Sequence, residues 1–457
     1  MHVLIKPHIL NGTIAVPGSK SHTIRRLLFA ALTNGVSYIV QPLDSLDTQS
    51  CVAACRIFGA KITEDTKNGI NRWIVRGNAF PFQGGVVDVG NSGTTLFFSI
   101  AAAALFNKPV AFTGDDQTAR RSAGPLLSAL TGLEVKVISE NDHIPITICG
   151  PWKGGKVSLS CPTSQYLSAL LIAAPLASAN TVTEIEVPFL NEKPYVEMTL
   201  AYLKAQGFYD TVKAPDSGFL PAVTAVSDFS RFCIRGGCVY APINGPVPGD
   251  FSSAAFPAAA AAISGGTVTL LGLDPGDSQG DKVFFEYLAR MGCVIQWKHR
   301  DGTEFDGAAA DWQLTVSRTG TLQGGTFDLN NTPDLLPVMA VLGAYAEGET
   351  ALVNAAHARI KETDRIAVMA VELRKLFSGG KDRFRCEEKP DGLLIRGSAA
   401  GSIEDGKSSI TLDGHGDHRI VMALVCAALG LPAGTVLIHG AEAAKLSYPG
   451  FLELLGA

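Results

Sequence analysis

One local pattern recurs along this sequence and constrains its fold more than any other feature. A strand-like run ends in a turn of Gly, Pro, Ser, Thr, Asn or Asp, and an apolar stretch rich in Ala and Leu follows at once. Such a switch in periodicity predicts a strand followed by a helix. The pattern occurs six times, with turns at 16–21, 89–94, 161–165, 248–253, 330–334 and 413–419.

The spacing of the copies predicts an architecture of similar modules. They begin about 70–90 residues apart, which is longer than a solenoid repeat and fits a supersecondary unit. A chain of 457 residues is too long for one ordinary core, so we expect two domains with three modules each. Strand-like segments such as 157–160 and 266–271 lie between the helical stretches. The predicted fold class is therefore α/β, with sheets outside and helices running inward.

The polar turns have two interpretations. Unpaired backbone N–H groups and the helix dipole make a helix start favourable for anions. Ser, Thr, Asn and Asp are also good N-caps, so a single turn of this kind indicates only a helix start. Because several copies carry Lys, Arg or His nearby, the set favours an anion-binding role.

A stretch rich in Pro and Gly, residues 244–249, divides the sequence just before the fourth copy. This composition predicts a hinge. A second crossing between domains is expected near Pro17 and Gly18, so that the chain begins in its C-terminal domain. We therefore expect one domain of residues 1–18 and 247–457 and another of residues 19–246.

Composition and charge argue against several classes of protein. A net charge of −5 gives no electrostatic footprint for nucleic acid or for an anionic membrane. No apolar run approaches the ~18 residues needed to span a bilayer, and the start of the chain does not resemble a signal peptide. The nine cysteines form no C-x-x-C pair, which favours free thiols in the cytoplasm. Cys51 and Cys55, four residues apart, are expected to pack on one helix face.

The segment Gly18-Ser19-Lys20-Ser21 matches a phosphate-binding P-loop only in part. The P-loop pattern needs a Gly directly before its Lys, and Ser19 stands there instead. A Walker-type kinase is therefore not predicted. Lys20 together with Arg25 still suits binding of phosphate or carboxylate, although a solvated helix start would carry the same pair.

Eight segments resemble signature segments of the 5-enolpyruvylshikimate-3-phosphate (EPSP) synthase family and follow one another in the family's order. They are 17–21 with Arg25, 90–95, 163–165, 193–195, 249–253, 361–365, 417–419 and 445–449. Each segment alone is weakly specific, whereas the ordered set is strongly specific.

This resemblance implies both a fold and a reaction. The fold is a two-domain inverse α/β barrel, or prism, with three βαβαββ units per domain and helix starts facing an interdomain cleft. The reaction transfers the enolpyruvyl group of phosphoenolpyruvate to the 5-hydroxyl of shikimate 3-phosphate and releases phosphate, in chorismate and aromatic amino-acid biosynthesis. The resemblance implies no cofactor and no metal, and we expect a cytoplasmic monomer whose domains close on these small molecules.

The resemblance also assigns roles to side chains, since two phosphates and two carboxylates require several fixed positive charges. Acid–base chemistry falls to Asp334 and Glu362, with Lys20 assisting and His418 nearby. The residues assigned to shikimate 3-phosphate, mainly in 19–246, are Lys20, Ser21, Arg25, Thr163, Ser164, Gln165, Tyr195, Asp334 and Lys361. Those assigned to phosphoenolpyruvate are Lys20, Gly93, Arg121, Gln165, Arg365, Arg419 and Lys445.

Without the resemblance, three of these residues have ordinary structural interpretations. Glu362 fits a charged helix start, Asp334 fits an N-cap or a first-turn acid, and His418 fits a structural histidine.

Several positions depart from the family pattern. Phe97 lies in the stretch where an Arg usually follows Gly-Asn-Ser-Gly-Thr, and His357 replaces an Asn. A Ser follows Arg121 where Pro is usual, so Arg120 is an alternative ligand. Glu192 stands where a Ser often precedes Lys-Pro-Tyr. An acid would repel a bound phosphate, so we expect Glu192 to point away or this stretch to align differently.

Two alternative functions stay open. The sister enzyme that acts on UDP-N-acetylglucosamine typically has a reactive Cys shortly before the Arg that matches Arg121, and residues 114–119 contain none. A non-catalytic phosphometabolite-binding protein on the same fold would be expected to lack Asp334 or Glu362, and both are present.

Overall fold

The computed structural model describes residues 1–67, 69–78, 81–209, 221–299, 312–377, 384–397 and 409–456. The chain forms two compact units, which we call unit A (residues 20–247) and unit B (residues 1–19 and 248–457). These bounds differ by one residue from those expected from the sequence. No helix in the described ranges is long and apolar enough to cross a membrane.

Both units contain helices and strands mixed along the sequence. The strands are β1 His2–Ile5, β2 Gly12–Ala15, β3 Val36–Val40, β4 Lys61–Lys67, β5 Ile70–Arg76, β6 Gly85–Asp88, β7 Val110–Thr113, β8 Lys136–Glu140, β9 His143–Cys149, β10 Gly155–Ser158, β11 Val182–Glu186, β12 Val223–Ala225, β13 Arg231–Arg235, β14 Asn244–Pro246, β15 Thr267–Leu271, β16 Cys293–His299, β17 Trp312–Arg318, β18 Thr326–Asp328, β19 Glu349–Val353, β20 Arg385–Lys389, β21 Gly392–Arg396, β22 Ser409–Asp413 and β23 Thr435–His439. The α-helices are α1 Lys20–Ala31, α2 Leu46–Ile57, α3 Gly93–Ala103, α4 Asp116–Ala119, α5 Gly124–Gly132, α6 Gln165–Ala173, α7 Lys193–Ala205, α8 Phe251–Ser264, α9 Val283–Arg290, α10 Leu336–Tyr345, α11 Arg365–Leu376, α12 His418–Leu429 and α13 Phe451–Leu454.

The sheets of unit A repeat one topology. Their strand orders, within the described residues, are β14-β3-β5-β4, β6-β7-β9-β8 and β10-β11-β13-β12. In each sheet the first two strands are parallel and the others antiparallel, as when Val86 pairs with Ala111 in parallel and Ala111 with Thr147 antiparallel. A parallel pair needs a crossover, and α3 supplies it between β6 and β7. The predicted βαβαββ unit is therefore confirmed.

Unit B follows the same plan, except that its strands β1 and β2 come from the part of the sequence before unit A. Its described strands form the orders β2-β15-β17-β16, β18-β19-β21-β20 and β22-β23-β1. Strand β2 precedes unit A in the sequence but pairs in parallel with β15, while β14 follows most of unit A and pairs with β3. The segment expected to be a hinge thus contributes a short edge strand, a position that tolerates Pro246.

Each predicted apolar stretch is a buried helix. Helices α3, α6, α8, α10 and α12 have small or apolar residues on every side, as a core helix requires. Alanine lets them approach closely, and α8 packs against α10 and α12. A Cβ on Gly430, directly after α12, would overlap Ile263 and lie 3.0 Å from Tyr345 Cζ. Cys51 and Cys55 are buried on α2, as expected.

Candidate active site

A network of ion pairs surrounds Arg365 at the start of α11. The Arg365 cluster comprises Arg365, Asp334, Glu362, Asp417 and Arg419. Arg365 Nη1 donates to Asp334 Oδ1 at 2.7 Å, and its Nη2 donates to Glu362 Oε2 at 2.6 Å. Its Nε donates to Asp417 Oδ2 at 2.8 Å. Arg419 Nη2 lies 3.0 Å from Asp334 Oδ2.

Local structure explains how these side chains meet. Asp417 is the N-cap of α12 and accepts the backbone N–H of Arg419 at 2.9 Å. Asp334 lies in a 3₁₀ turn, Pro333–Leu335, that leads into α10. The starts of three helices therefore supply one largely buried ionic network.

Opposing effects act on the ionisation of this network. Burial would raise the pKa of Asp334, but the positive charges of Arg419, Lys361 and Arg365 hold it well below its usual range. Burial would lower the pKa of Arg365, yet its carboxylate partners keep the guanidinium charged. Asp334 is thus an ionised acceptor, and Arg365 orients it.

The other predicted site residues of unit B differ in how deeply they are buried. Lys361 Nζ is 4.0 Å from Asp334 Oδ1, and its side chain is largely buried. His418 is buried beside Asp417, with Nδ1 3.9 Å from Asp417 Oδ1. Lys445 is exposed on a 3₁₀ turn, Ala441–Leu446, that packs against α12. The side chain of Arg365 is fully buried, so an anion could reach it only if a carboxylate moved.

Asp281 is a buried acid that the sequence did not single out. Ser252, in the first turn of α8, donates a hydrogen bond to its Oδ2. Burial raises the pKa of Asp281 to about 7, and the negative charge of Asp334 adds to the effect, whereas Arg419 opposes it. An isolated Asp in a sequence gives no sign of such surroundings. Asp281 is therefore a buried carboxyl group that the charge of Asp334 affects.

In unit A, Lys20 is the first residue of α1 and forms an ion pair with Asp47. The distance from Nζ to Asp47 Oδ2 is 2.9 Å, and both side chains are largely buried. Asp47 belongs to the first turn of α2, so two helix starts meet here. The sequence had indicated Lys20 but not its carboxylate partner.

Arg25 is buried and already bonded to its own chain. Its Nε donates to Thr199 Oγ1 at 2.9 Å, and Nη1 and Nη2 donate to the carbonyl oxygens of Ser21 and Tyr195 at 3.1 and 2.9 Å. The guanidinium carbon lies 5.1 Å from the ring centroid of Phe98. Burial lowers the pKa of Arg25 to about 10. Arg25 therefore links α1 to α7.

Arg121 lies against the start of α3. A Cβ placed on Gly93 would overlap Arg121 Nη1 and lie 3.2 Å from its Cζ. The glycine thus lets the guanidinium approach the helix start closely. Arg121 is half-buried, whereas Arg120 is exposed, so Arg121 is the better placed of the two alternatives.

The residues expected at the start of α6 lie together. Gln165 Nε2 donates to Thr94 Oγ1 at 2.7 Å, which ties α6 to the first turn of α3. Thr163 and Ser164 both donate to the carboxylate of Glu192. Glu192 therefore does not point away from this segment, contrary to the first of the two expectations.

Two other departures from the family pattern occupy buried positions. Phe97 lies in the apolar core of unit A and packs edge-to-face on Tyr166, with ring centroids 4.9 Å apart. His357 is buried in a 3₁₀ turn, Ala356–Ile360. No group of three or more His, Cys, Asp or Glu that could hold a metal occurs in the described parts of the chain.

Fold and site together define the class of protein. Within the described residues, modules of βαβαββ type carry ionised side chains at the starts of buried helices. This is the architecture that the sequence led us to expect for an enolpyruvyl transferase.

Comparison with known proteins identifies the family. A profile of EPSP synthase (3-phosphoshikimate 1-carboxyvinyltransferase) matches residues 5–455. A 3-phosphoshikimate 1-carboxyvinyltransferase from Acetivibrio thermocellus is 41% identical, covering 97% of this chain and 95% of that protein. One from Ruminiclostridium cellulolyticum is 40% identical, with 99% and 97% covered. A solved EPSP synthase from Acinetobacter baumannii superposes with a TM-score of 0.75 at 26% identity, covering 100% of this chain and 97% of the other. The chain belongs to the EPSP synthase family.

Proposed function

We propose that this chain is a 3-phosphoshikimate 1-carboxyvinyltransferase that joins the enolpyruvyl group of phosphoenolpyruvate to the 5-hydroxyl of shikimate 3-phosphate. The observation that carries the proposal is the Arg365 cluster. It holds Asp334 and Glu362, the two carboxylates at the family's acid–base positions, on one buried guanidinium. The family membership and the names of the relatives support the same activity.

The reaction requires protons to move in both its addition step and its elimination step. The 5-hydroxyl loses a proton as its oxygen bonds to C2 of phosphoenolpyruvate, while the methylene carbon gains one. The tetrahedral intermediate then loses phosphate and a methyl proton. Asp334, held ionised, orients the hydroxyl and accepts its proton, and Lys361 nearby offsets the developing negative charge. We assign to Glu362, assisted by Lys20, both the protonation of the methylene carbon and the later removal of the methyl proton.

The proposed roles divide between the two units. Lys20, Gly93, Arg121 and the start of α6 belong to unit A, and the Arg365 cluster belongs to unit B. That both units hold one pair of substrates stays a prediction from the family resemblance. We further propose that the enzyme acts as a cytoplasmic monomer on these small molecules. A non-catalytic role is disfavoured, because Asp334 and Glu362 are both present and bonded to Arg365.

Release of inorganic phosphate tests the proposal directly. With both substrates present the purified protein should release phosphate, and Glu362→Gln should lower kcat about 10²–10⁴-fold, the usual contribution of a general acid–base group. Glu286→Gln, which removes an exposed carboxylate of unit B, is the matched control and should leave the rate unchanged. No phosphate release by the parent protein between about pH 6 and pH 9 would refute the proposed function.

A further inference from the structure

Glu192 has an unusual conformation for its position. It is the N-cap of α7, yet its backbone is left-handed, with φ 58° and ψ 41°, and its side chain makes no capping hydrogen bond to α7. An N-cap is normally extended and is usually Ser, Thr, Asp or Asn. A left-handed Glu costs about 1 kcal/mol or more, so contacts elsewhere must hold it there.

Those contacts are made with the start of α6. Glu192 Oε2 accepts hydrogen bonds from Thr163 Oγ1 at 3.1 Å, from Ser164 N at 3.0 Å and from Ser164 Oγ at 2.9 Å. The side chain of Glu192 is only 3% exposed. A carboxylate with three donors in a buried setting is strongly bound, since charge-assisted hydrogen bonds are about twice as strong as neutral ones.

The same donors are those that the family resemblance assigns to shikimate 3-phosphate. A phosphate and the Glu192 carboxylate could not both accept hydrogen bonds from the two hydroxyls and the backbone N–H of residues 163–164. Two like charges that close repel strongly in a partly buried site. Arg25, assigned to the same substrate, already donates from all three guanidinium nitrogens to protein acceptors.

We propose that the Glu192 carboxylate competes with the phosphate of shikimate 3-phosphate, the substrate that accepts the enolpyruvyl group, for the donors of Thr163 and Ser164. This competition determines the affinity and the selectivity of the acceptor site, where that substrate binds. The carboxylate must leave Thr163 and Ser164 before a phosphate dianion can bind there. An acceptor without the phosphate does not compete with Glu192 and gains nothing from its removal. This inference rests on the proposed function, because it takes the acceptor to be shikimate 3-phosphate.

Calorimetric titration, without phosphoenolpyruvate, separates binding from turnover. Shikimate 3-phosphate should bind about tenfold more tightly to Glu192→Gln than to the parent, the effect of removing one competing charge-assisted contact. Glu192→Ser should also bind shikimate 3-phosphate more tightly than the parent. Agreement between the two variants shows that the gain comes from loss of the carboxylate and not from the new amide group. Glu197→Gln removes an exposed carboxylate from the same helix and should bind like the parent. Shikimate, which lacks the phosphate, should bind equally to all four proteins.

The outcomes distinguish the two levels of inference. Equal or weaker binding of shikimate 3-phosphate to both Glu192 variants, with circular dichroism spectra like that of the parent, would overturn the competitor role alone. A parallel gain for shikimate would also overturn it, because the effect would not depend on phosphate. Binding of shikimate 3-phosphate by none of the proteins would refute the proposed function together with this inference.

Discussion

Replacing Asp281 by Asn should flatten the pH dependence of stability in a defined window. Burial and the negative charge of Asp334 raise the pKa of Asp281 from 3.8 to about 7 in the folded protein. The other groups that act on it are Asp250, which adds to the rise, and Arg419 and Ser252, which oppose it. The amide of Asn can still accept the hydrogen bond from Ser252, but it has no charge to bury.

The sign and size follow from proton linkage. Because the folded state binds this proton more tightly than the unfolded state, the contribution to stability is complete below about pH 4 and is lost as the pH rises to about 7. A rise of about 3 pKa units corresponds to about 4 kcal/mol in all, or about 1.4 kcal/mol per pH unit. From about pH 5 to pH 7, the parent should lose about 2–3 kcal/mol that the variant does not lose.

Urea titrations followed by circular dichroism measure this difference. At each pH, the free energy of unfolding of Asp281→Asn is subtracted from that of the parent. The contributions of groups that titrate alike in both proteins then cancel. Asp116→Asn removes an exposed carboxylate of unit A and should follow the parent curve. If the Asp281→Asn and parent curves stay parallel between about pH 5 and pH 7, burial does not raise the pKa of Asp281 in the folded protein.

Two further substitutions test particular contacts. Arg365→Met should lower the free energy of unfolding by about 3–5 kcal/mol, because Asp334, Glu362 and Asp417 would lose a buried partner. A loss below about 1 kcal/mol in the same urea assay would contradict this view of the cluster. Gly93→Ala should raise the KM for phosphoenolpyruvate about tenfold, since the new methyl group displaces the guanidinium that lies against α3. An unchanged KM for phosphoenolpyruvate in steady-state phosphate release would show that the Arg121 guanidinium does not bind this substrate.

The sequence predicted the scaffold better than the detailed contacts. Turn chemistry and helical periodicity are local properties, so the buried helices and their polar starts were recognisable in advance. The partners that reach these starts are set by tertiary packing. Asp47 meets Lys20, and Asp281 lies near the Arg365 cluster, although neither acid belongs to a recognisable motif.

Glu192 is a second example of a contact that the sequence did not predict. Electrostatic repulsion of a phosphate suggested that its carboxylate would turn away or that this stretch would align differently. In the structure the backbone is left-handed at this residue and directs the carboxylate onto the start of α6. Hydrogen bonds to Thr163 and Ser164 outweigh the cost of that backbone, and nothing in the local sequence reveals such a balance.

The strand exchange has a consequence for the order of folding during synthesis. Unit A is one continuous segment, and β14, its last strand, is complete at residue 246, so it can fold before the remainder of the chain is made. Strands β1 and β2 are made before unit A but must wait, because β2 pairs with β15 and His2 with His439. The nascent chain therefore carries two unpaired strands through most of its synthesis. Their shortness, four residues each, limits the edge open to wrong pairing.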